Sequence, residues 1–210
     1  MTVPTDMDYY KELSKVSNTI LKNYSLIIDT NNVLKNKSKT ALSGNVSGPY
    51  QALYSQVKEV DIGWKSFKFE KEPQVKGKIK ILPFKQVFGD WEGIVWFNNH
   101  PNDKGLRHFR ILDFFSNEAC VGFYDSEDKS RELFYLYFGE KPISLSLDVE
   151  GYCQMLQKTF GYFYWQLAII EIKTNKSGIE SRDFKKYMPQ LFQDFNYDEF
   201  VSLYHQIQIK

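Results

Sequence analysis

The sequence predicts a single α+β domain: a mixed, mostly antiparallel sheet with helices packed around it and helical extensions at both ends. Residues 109–115 and 133–138 carry apolar side chains on both parities of the strand period, which is typical of strands covered on both faces in the middle of a sheet. Residues 143–147 alternate apolar residues with serines, as a half-exposed strand does. A length of 210 residues, 17% of them aromatic, indicates one domain with a substantial core.

Two helices and a long loop are predicted before the first strand. Thr5 and Asp8 have the spacing of a capping box, and apolar residues follow at helical spacing as far as Tyr24. The chain is polar over residues 30–48, and we expect a long loop there. A second helix is predicted from Pro49, because proline is favoured in the first turn of a helix.

Two strands with many lysines are predicted next. The first covers residues 61–70, and a bulge is expected near Lys65–Ser66 because the apolar side chains change parity there. The second covers residues 76–84 and is interrupted by Pro83. Residues 65–85 contain seven lysines. We interpret them as a solvated strand face, with a phosphate-binding surface as the alternative.

The end of the chain is predicted to be helical. Asp148 is expected to cap the helix that follows the last strand. The final helix has a clear start, with Asn196 as its N-cap, Glu199 three residues later, and Phe195 and Phe200 at the positions of a hydrophobic staple. We therefore divide the domain into an N-terminal helix with a polar loop, an α+β core and a C-terminal helical extension, with bounds 1–48, 49–173 and 174–210.

Composition excludes some function classes. The net charge is +1, so no global field attracts the chain to nucleic acid or to a membrane. Its first ten residues have neither the basic region nor the apolar core of a secretory signal, and no apolar run approaches the roughly 20 residues of a membrane span. Two cysteines without metal-type spacing favour a cytoplasmic location, and Cys120 and Cys153 are expected to be buried thiols rather than a disulfide.

The residues offer little catalytic chemistry. No phosphate-binding, dinucleotide-binding or metalloprotease motif is present. The histidines have no evident partners: His100, His108 and His205. Asp113 lies in an apolar strand and needs a partner, either a backbone amide or the Ser116–Asn117 turn. The aromatic run 162–165 is interpreted as core, with a nucleic-acid stacking platform as the alternative. We therefore predict no catalytic residues, no metal site and no cofactor.

Several segments resemble the SUKH superfamily, which joins fungal cell-wall-synthesis regulators to bacterial immunity proteins. They include Trp64 at the end of a strand and the turn at 81–83, and they cover residues 53–65, 79–91, 109–115, 120–126 and 147–166. The resemblance implies a non-catalytic protein-binding module, most simply an immunity protein that neutralises a cognate bacterial toxin, often a nuclease. The alternatives are a regulatory scaffold that binds several cellular partners and an uncharacterised hydrolase.

A partner surface is expected within residues 90–150, which carry 12 Asp and Glu against 6 Lys and Arg. Three carboxylates gather at one hairpin tip: Asp125, Glu127 and Asp128. Trp91 and Trp96, on either side of Glu92, are candidate anchors if they are exposed and core residues otherwise. The alternative for the hairpin tip is a solvated turn. The expected partner is a protein, with no direct binding to nucleic acid and none to a membrane.

Overall fold

The computed structural model describes residues 7–37, 49–67, 73–98, 101–125 and 132–209. Within these ranges a seven-stranded sheet is packed against α-helices, which confirms the α+β class and the helical ends. The strands are β1 Leu26–Lys35, β2 Val57–Ser66, β3 Lys76–Ile81, β4 Phe109–Asp113, β5 Ala119–Tyr124, β6 Leu133–Tyr137 and β7 Ile143–Leu147. The helices are α1 Tyr9–Leu21, α2 Pro49–Gln56, α3 Phe84–Val87, α4 Val149–Thr159, α5 Gln166–Thr174, α6 Ile179–Leu191 and α7 Tyr197–Ile207, with a 3-10 helix at Pro101–His108.

The strands lie in the sheet in the order in which they occur in the chain. Every neighbouring pair of described strands runs antiparallel, so the sheet is a meander from β1 to β7. The central strands are buried as the sequence predicts: every residue of β5 except its last is buried, and β4 has four buried residues out of five. No helix in the described part of the chain has the length and apolar character needed to cross a membrane.

The expected loop over residues 30–48 is wrong for its first part, because the chain continues in β1 as far as Lys35. The part of that segment beyond residue 37 lies outside the described residues. β1 is an edge strand, and some of its polar side chains contact polar side chains of β2. The Thr30 hydroxyl, for example, donates a hydrogen bond to Asp61 at 2.6 Å. A strand of this kind needs no regular apolar alternation, and the sequence therefore resembles a loop.

The expected bulge at Lys65–Ser66 is also wrong. β2 pairs regularly with β3 from Val60 to Lys65, whereas the register of β1 against β2 shifts between Ile28 and Thr30. The change of apolar parity that suggested a bulge arises because Phe67 lies beyond the end of β2 and is exposed. Phe69, which completed that pattern, is outside the described residues.

The helix starts agree with their caps. The Asp148 carboxylate accepts a hydrogen bond from the backbone N–H of Gly151, and the Asn196 side chain accepts two in the first turn of α7. For α1 the N-cap is Asp8, which accepts from the N–H of Lys11. Thr5, the other member of the expected capping box, lies outside the described residues.

β3 and β4 separate along their length, which creates a gap in the sheet. They pair only at Ile81 and Asp113 and at the adjoining hydrogen bonds. Towards the start of β3 the turn between α4 and α5 takes the place of β4. The N–H of Lys78 donates to the carbonyl of Gly161 at 2.7 Å, and the N–H of Phe163 donates to the carbonyl of Lys76 at 2.9 Å. Where the two strands separate, a cleft replaces the continuous hydrogen bonding between neighbouring strands.

Candidate functional sites: the Trp96 surface and the lysine cleft

The sequence predicts the same two possible roles for Trp91 and Trp96, but the two side chains have different environments. Trp91 is buried; its indole N–H donates to the carbonyl of Val87 at 3.1 Å, and its ring lies 6.3 Å from that of Phe114. Trp91 is therefore a core residue, the second of its two predicted roles. Trp96 is only half-buried, and the guanidinium of Arg107 lies 4.9 Å from the centre of its ring.

Two exposed apolar residues lie close to Trp96 in the chain. Ile94 is 43% exposed and Phe97 is 53% exposed, although both are large apolar residues. Arg107 also donates to the side-chain oxygen of Asn98 at 2.9 Å, which fixes the guanidinium over the tryptophan. We call the patch formed by Glu92, Ile94, Trp96, Phe97 and Arg107 the Trp96 surface. Its composition, aromatic and apolar with an arginine, is that of the centre of a protein–protein interface.

The two described carboxylates of the expected partner surface, Glu92 and Asp125, have polar partners nearby. Glu92 is exposed and accepts a hydrogen bond from the side chain of Asn98. Asp125 lies 3.4 Å from the Nε of Arg110, and Arg110 in turn donates to the backbone carbonyl of Arg107 at 3.3 Å. Contacts of Arg107 and Arg110 therefore link Asp125 to the Trp96 surface, but this surface carries charges of both signs.

Two of the expected residues, Glu127 and Asp128, lie outside the described residues. Arg107 and Arg110 were missing from the expected partner surface. Their position follows from the pairing of β4 with β5, in which Phe109 lies opposite Tyr124. Once this hairpin is recognised, the residues that flank Phe109 must lie beside Asp125, so the hairpin was the signal that could have identified them.

The second candidate site is the lysine cleft at the separation of β3 and β4. Lys76, Lys78 and Lys80 alternate along β3 with buried residues and line one side of the cleft. The other side is formed by the turn at 116–118 and by Tyr164. The cavity has a volume of about 450 Å³. The sequence predicts a solvated face for the lysines of this strand. In the structure they line a cavity, which the periodicity of the sequence does not reveal.

The charges of the cleft are only partly balanced. Lys78 forms an ion pair with Asp61, and Lys65 forms one with Asp29 at 2.9 Å. Burial alone would raise the pKa of Asp61, but the hydrogen bonds from Lys78 and Thr30 outweigh that effect and lower it. Among the described residues, Lys76 and Lys80 have no carboxylate within ion-pair distance. Their ammonium groups lie instead over aromatic rings, 4.1 Å from the centre of Phe163 and 5.7 Å from that of Phe114.

One wall of the cleft has an unusual backbone. Tyr164 in this wall has a φ of 63°, and Phe160, the C-cap of α4 just before the wall, has a φ of 50°, a region that bulky side chains rarely adopt. Trp64 holds this wall against the sheet, since its indole N–H donates to the carbonyl of Phe160 at 2.8 Å. The indole packs directly over Gly77, where an added Cβ would lie 2.2 Å from the ring. A glycine on β3 and a tryptophan on β2 thus fix the wall in place.

Asp113, the carboxylate that needed a partner, is fully buried beside the cleft but faces the core. It accepts hydrogen bonds from the backbone N–H of Lys80 at 2.8 Å and from the hydroxyl of Tyr152 at 2.7 Å. Gln166 donates to the same tyrosine oxygen at 3.2 Å. Loss of solvent raises the pKa of Asp113 to about 6, although both hydrogen bonds act in the opposite direction. The backbone amide is one of the two partners that the sequence suggested.

The remaining residues that the sequence analysis considered for chemistry do not form a common site among the described residues. His108 and His205 are exposed, and His100 lies outside the described residues. Both cysteines are free and buried, which confirms the expectation of two buried thiols rather than a disulfide. No group of three or more potential metal ligands occurs among the described residues. In the run 162–165, Tyr162 and Trp165 are buried, as the core interpretation requires, whereas Phe163 and Tyr164 are half-buried and line the cleft.

Comparison with known proteins adds no family: no family model, no curated protein and no solved structure matches the chain. The resemblance to the SUKH superfamily therefore stays a prediction. The case for a function consequently depends on the two sites described above and on the chemistry of their side chains.

Proposed function

We propose that this chain is a non-catalytic protein-binding module that acts in the cytoplasm and that it binds and neutralises a cognate toxin, as the resemblance to the SUKH superfamily implies. The observation that supports this most strongly is the Trp96 surface. Tryptophan and arginine are the residues most enriched among interface hot spots, and here Arg107 is stacked on Trp96 beside exposed apolar side chains.

The arrangement of polar groups around this surface also suits an interface. Glu92 and Asp125 lie at its margin, and each is exposed and close to an arginine or an amide. Charges at the margin of an interface contribute little to affinity, but they orient the approaching partner and accelerate association. The apolar centre and the charged margin therefore have distinct expected effects, on dissociation and on association respectively.

The environment of Asp113 supports a non-catalytic role. A general acid or base must reach the substrate proton within hydrogen-bond distance. Both oxygens of Asp113 accept hydrogen bonds from groups of the core, and the side chain has no exposed surface. Asp113 therefore acts as a structural link between β3, β4 and α4, and its raised pKa has a structural origin.

Binding to the product of the neighbouring gene, if that gene encodes a toxin-like protein, tests the proposal. Titration calorimetry with Arg107→Ala and with Ile94→Ala should show at least about tenfold weaker binding, because hot-spot truncations cost about 2 kcal/mol or more and each 1.4 kcal/mol is about tenfold in affinity. The matched controls are Arg182→Ala and Ile179→Ala, which change exposed residues on α6.

The control variants should bind within about twofold of the wild type. Equal losses in the variants and their controls would contradict the assignment of the Trp96 surface. A complete lack of binding to any neighbouring product would contradict the neutralising role itself.

A further inference from the structure

We propose that the lysine cleft binds a small ligand that carries a phosphate group, at a site separate from the Trp96 surface. This inference does not depend on the proposed protein-binding function, because it rests on different residues. It gives a role to the lysines of β3, which the protein-binding function leaves unused.

The charge favours a ligand with more than one negative charge. Lys76 and Lys80 together supply two positive charges, and neither lysine forms an ion pair with a described carboxylate. Alternate residues of a strand are separated by about 6.6 Å, so Lys76, Lys78 and Lys80 form a row roughly 13 Å long. A phosphate ester carries a charge of about −1.5 to −2 near neutral pH, so it is attracted by both lysines even though Glu118 in the same cleft offsets one of their charges.

The cavity has the size and the donors for such a ligand. A volume of about 450 Å³ lies within the range of small-molecule sites, roughly 300–1,000 Å³. The hydroxyl of Ser116, 3.2 Å from that of Tyr164 in its wall, can turn its proton to a phosphate oxygen, whereas the Tyr164 hydroxyl already donates to Glu118. Phe114 and Phe163 add aromatic faces for an apolar part of the ligand.

Two carboxylates also line the cleft, and they limit the affinity. Asp29 is balanced by Lys65 at 2.9 Å. Glu118 accepts a hydrogen bond from the hydroxyl of Tyr164 at 3.2 Å and has no ion pair with a described lysine. Because Glu118 repels an incoming anion, its removal should strengthen binding, a result that a purely structural role for the cleft would not produce.

The wall of the cleft is fixed before any ligand arrives. The left-handed backbone of Phe160 and Tyr164 is held by Trp64 and by the hydrogen bonds from the turn to β3. Strained backbone persists only where the surrounding structure enforces it, and it is concentrated at sites of function. A wall held in this way reduces the entropy lost on binding.

Calorimetric titration of the full chain with four probes tests the proposal. Adenosine monophosphate and ribose 5-phosphate should bind saturably, whereas adenosine and citrate should not. Lys76→Gln and Lys80→Gln should each weaken binding of adenosine monophosphate by about tenfold, the effect of a lost charge-assisted hydrogen bond. Glu118→Gln should strengthen it by about threefold. Lys85→Gln, an exposed lysine on α3, makes the same charge change outside the cleft and should have no effect.

Three results would overturn the proposal. One is the absence of saturable binding by both phosphate probes. Another is an equal loss in Lys85→Gln and Lys76→Gln, since this would indicate a general charge effect. The third is binding of a single-stranded oligonucleotide without binding of the mononucleotide, since this would indicate a nucleic-acid surface. Circular dichroism of each variant separates these outcomes from misfolding, and none of them bears on the Trp96 surface.

Discussion

The two halves of the sheet differ in what covers them. In β4, β5 and β6 side chains of both parities are buried, so aromatic and aliphatic residues pack on both faces. In β2 and β3 one parity is buried, while the other carries charged groups such as Asp61 and Lys78. One sheet therefore contains an apolar half, β4–β6, which we call the closed half, and a half with one polar face, β1–β3, which we call the open half. Both candidate sites lie near the boundary between these halves, where Phe114 contacts Trp91 on one side and Lys80 on the other.

A glycine-to-alanine substitution in each half gives the largest predicted contrast. A Cβ at Gly122 in β5 would lie 2.2 Å from the carbonyl oxygen of Arg110, which is backbone and has no space to move. At Gly63 in β2 the nearest atom is the hydroxyl of Thr30 at 2.9 Å, a side-chain atom that can move if its hydrogen bond to Asp61 lengthens. We expect Gly122→Ala to lower the free energy of unfolding by about 3 kcal/mol or more. Gly63→Ala should change it by less than about 1 kcal/mol.

Urea unfolding of the two variants measures this difference. Similar losses of unfolding free energy in both variants would mean that the open half is packed as tightly as the closed half. That result would contradict the proposed difference between the two halves of the sheet.

The second prediction concerns the pH dependence that Asp113 gives to the closed half. Its folded pKa of about 6 lies above the unfolded value near 3.9, so the folded state binds a proton more tightly than the unfolded state. The stability from this group is therefore fully present below about pH 4 and is lost as the pH rises through about 6. The loss is on the order of 2–3 kcal/mol.

Asp113→Asn should remove this dependence, since an amide does not titrate over that range. The measurement is the free energy of unfolding of wild type and variant at pH 4, 5, 6 and 7. The variant should become steadily more stable relative to the wild type as the pH rises. Parallel curves would show that Asp113 keeps an ordinary pKa.

The third prediction concerns the corresponding substitution in the open half, Asp61→Asn. Its effect on the free energy of unfolding should be smaller and should depend on pH in the opposite direction. The pKa of Asp61 is lowered by its hydrogen bonds from Lys78 and Thr30, although partial burial opposes the change. Its contribution is therefore present above the unfolded pKa and is lost as the pH falls through the lower folded value. Because both side chains of this ion pair are partly exposed, Asp61→Asn should cost less than about 1 kcal/mol at pH 7.

The same pH series measures the Asp61 effect. A rise in stability of Asp61→Asn relative to wild type between pH 4 and 7, like that expected for Asp113→Asn, would contradict the assignment of the two carboxylates.

The two halves also differ in how well the sequence predicts them. In the closed half the apolar residues occur on both parities, so burial on both faces follows from the pattern alone. In the open half β1 contains Asp29, Asn31 and Asn32, whose partners come from other elements or from solvent, and no local pattern distinguishes such a strand from a loop. The caps Asp148 and Asn196 were predictable because their partners lie two or three residues away.

The sites were predictable only in part, because they depend on contacts distant in sequence. Trp96 and Glu92 were identified from composition, but the exposure that separates Trp96 from Trp91 depends on how residues 91–98 pack against Phe114. The lysine cleft joins β3 to a turn more than 80 residues later, through hydrogen bonds such as that from Phe163 to Lys76. Periodicity identifies the face of a strand, but it contains no information about which distant segment forms the opposite wall.

The most direct test of the proposed function is hydrogen exchange of the chain with and without the neighbouring toxin-like protein. We predict that binding slows exchange in residues 92–98 and 105–110, which carry the Trp96 surface and Arg110. Exchange in the open half, at residues 61–66 and 76–80, should stay unchanged. Slower exchange confined to the open half, or no change in residues 92–98 despite tight binding, would contradict the account.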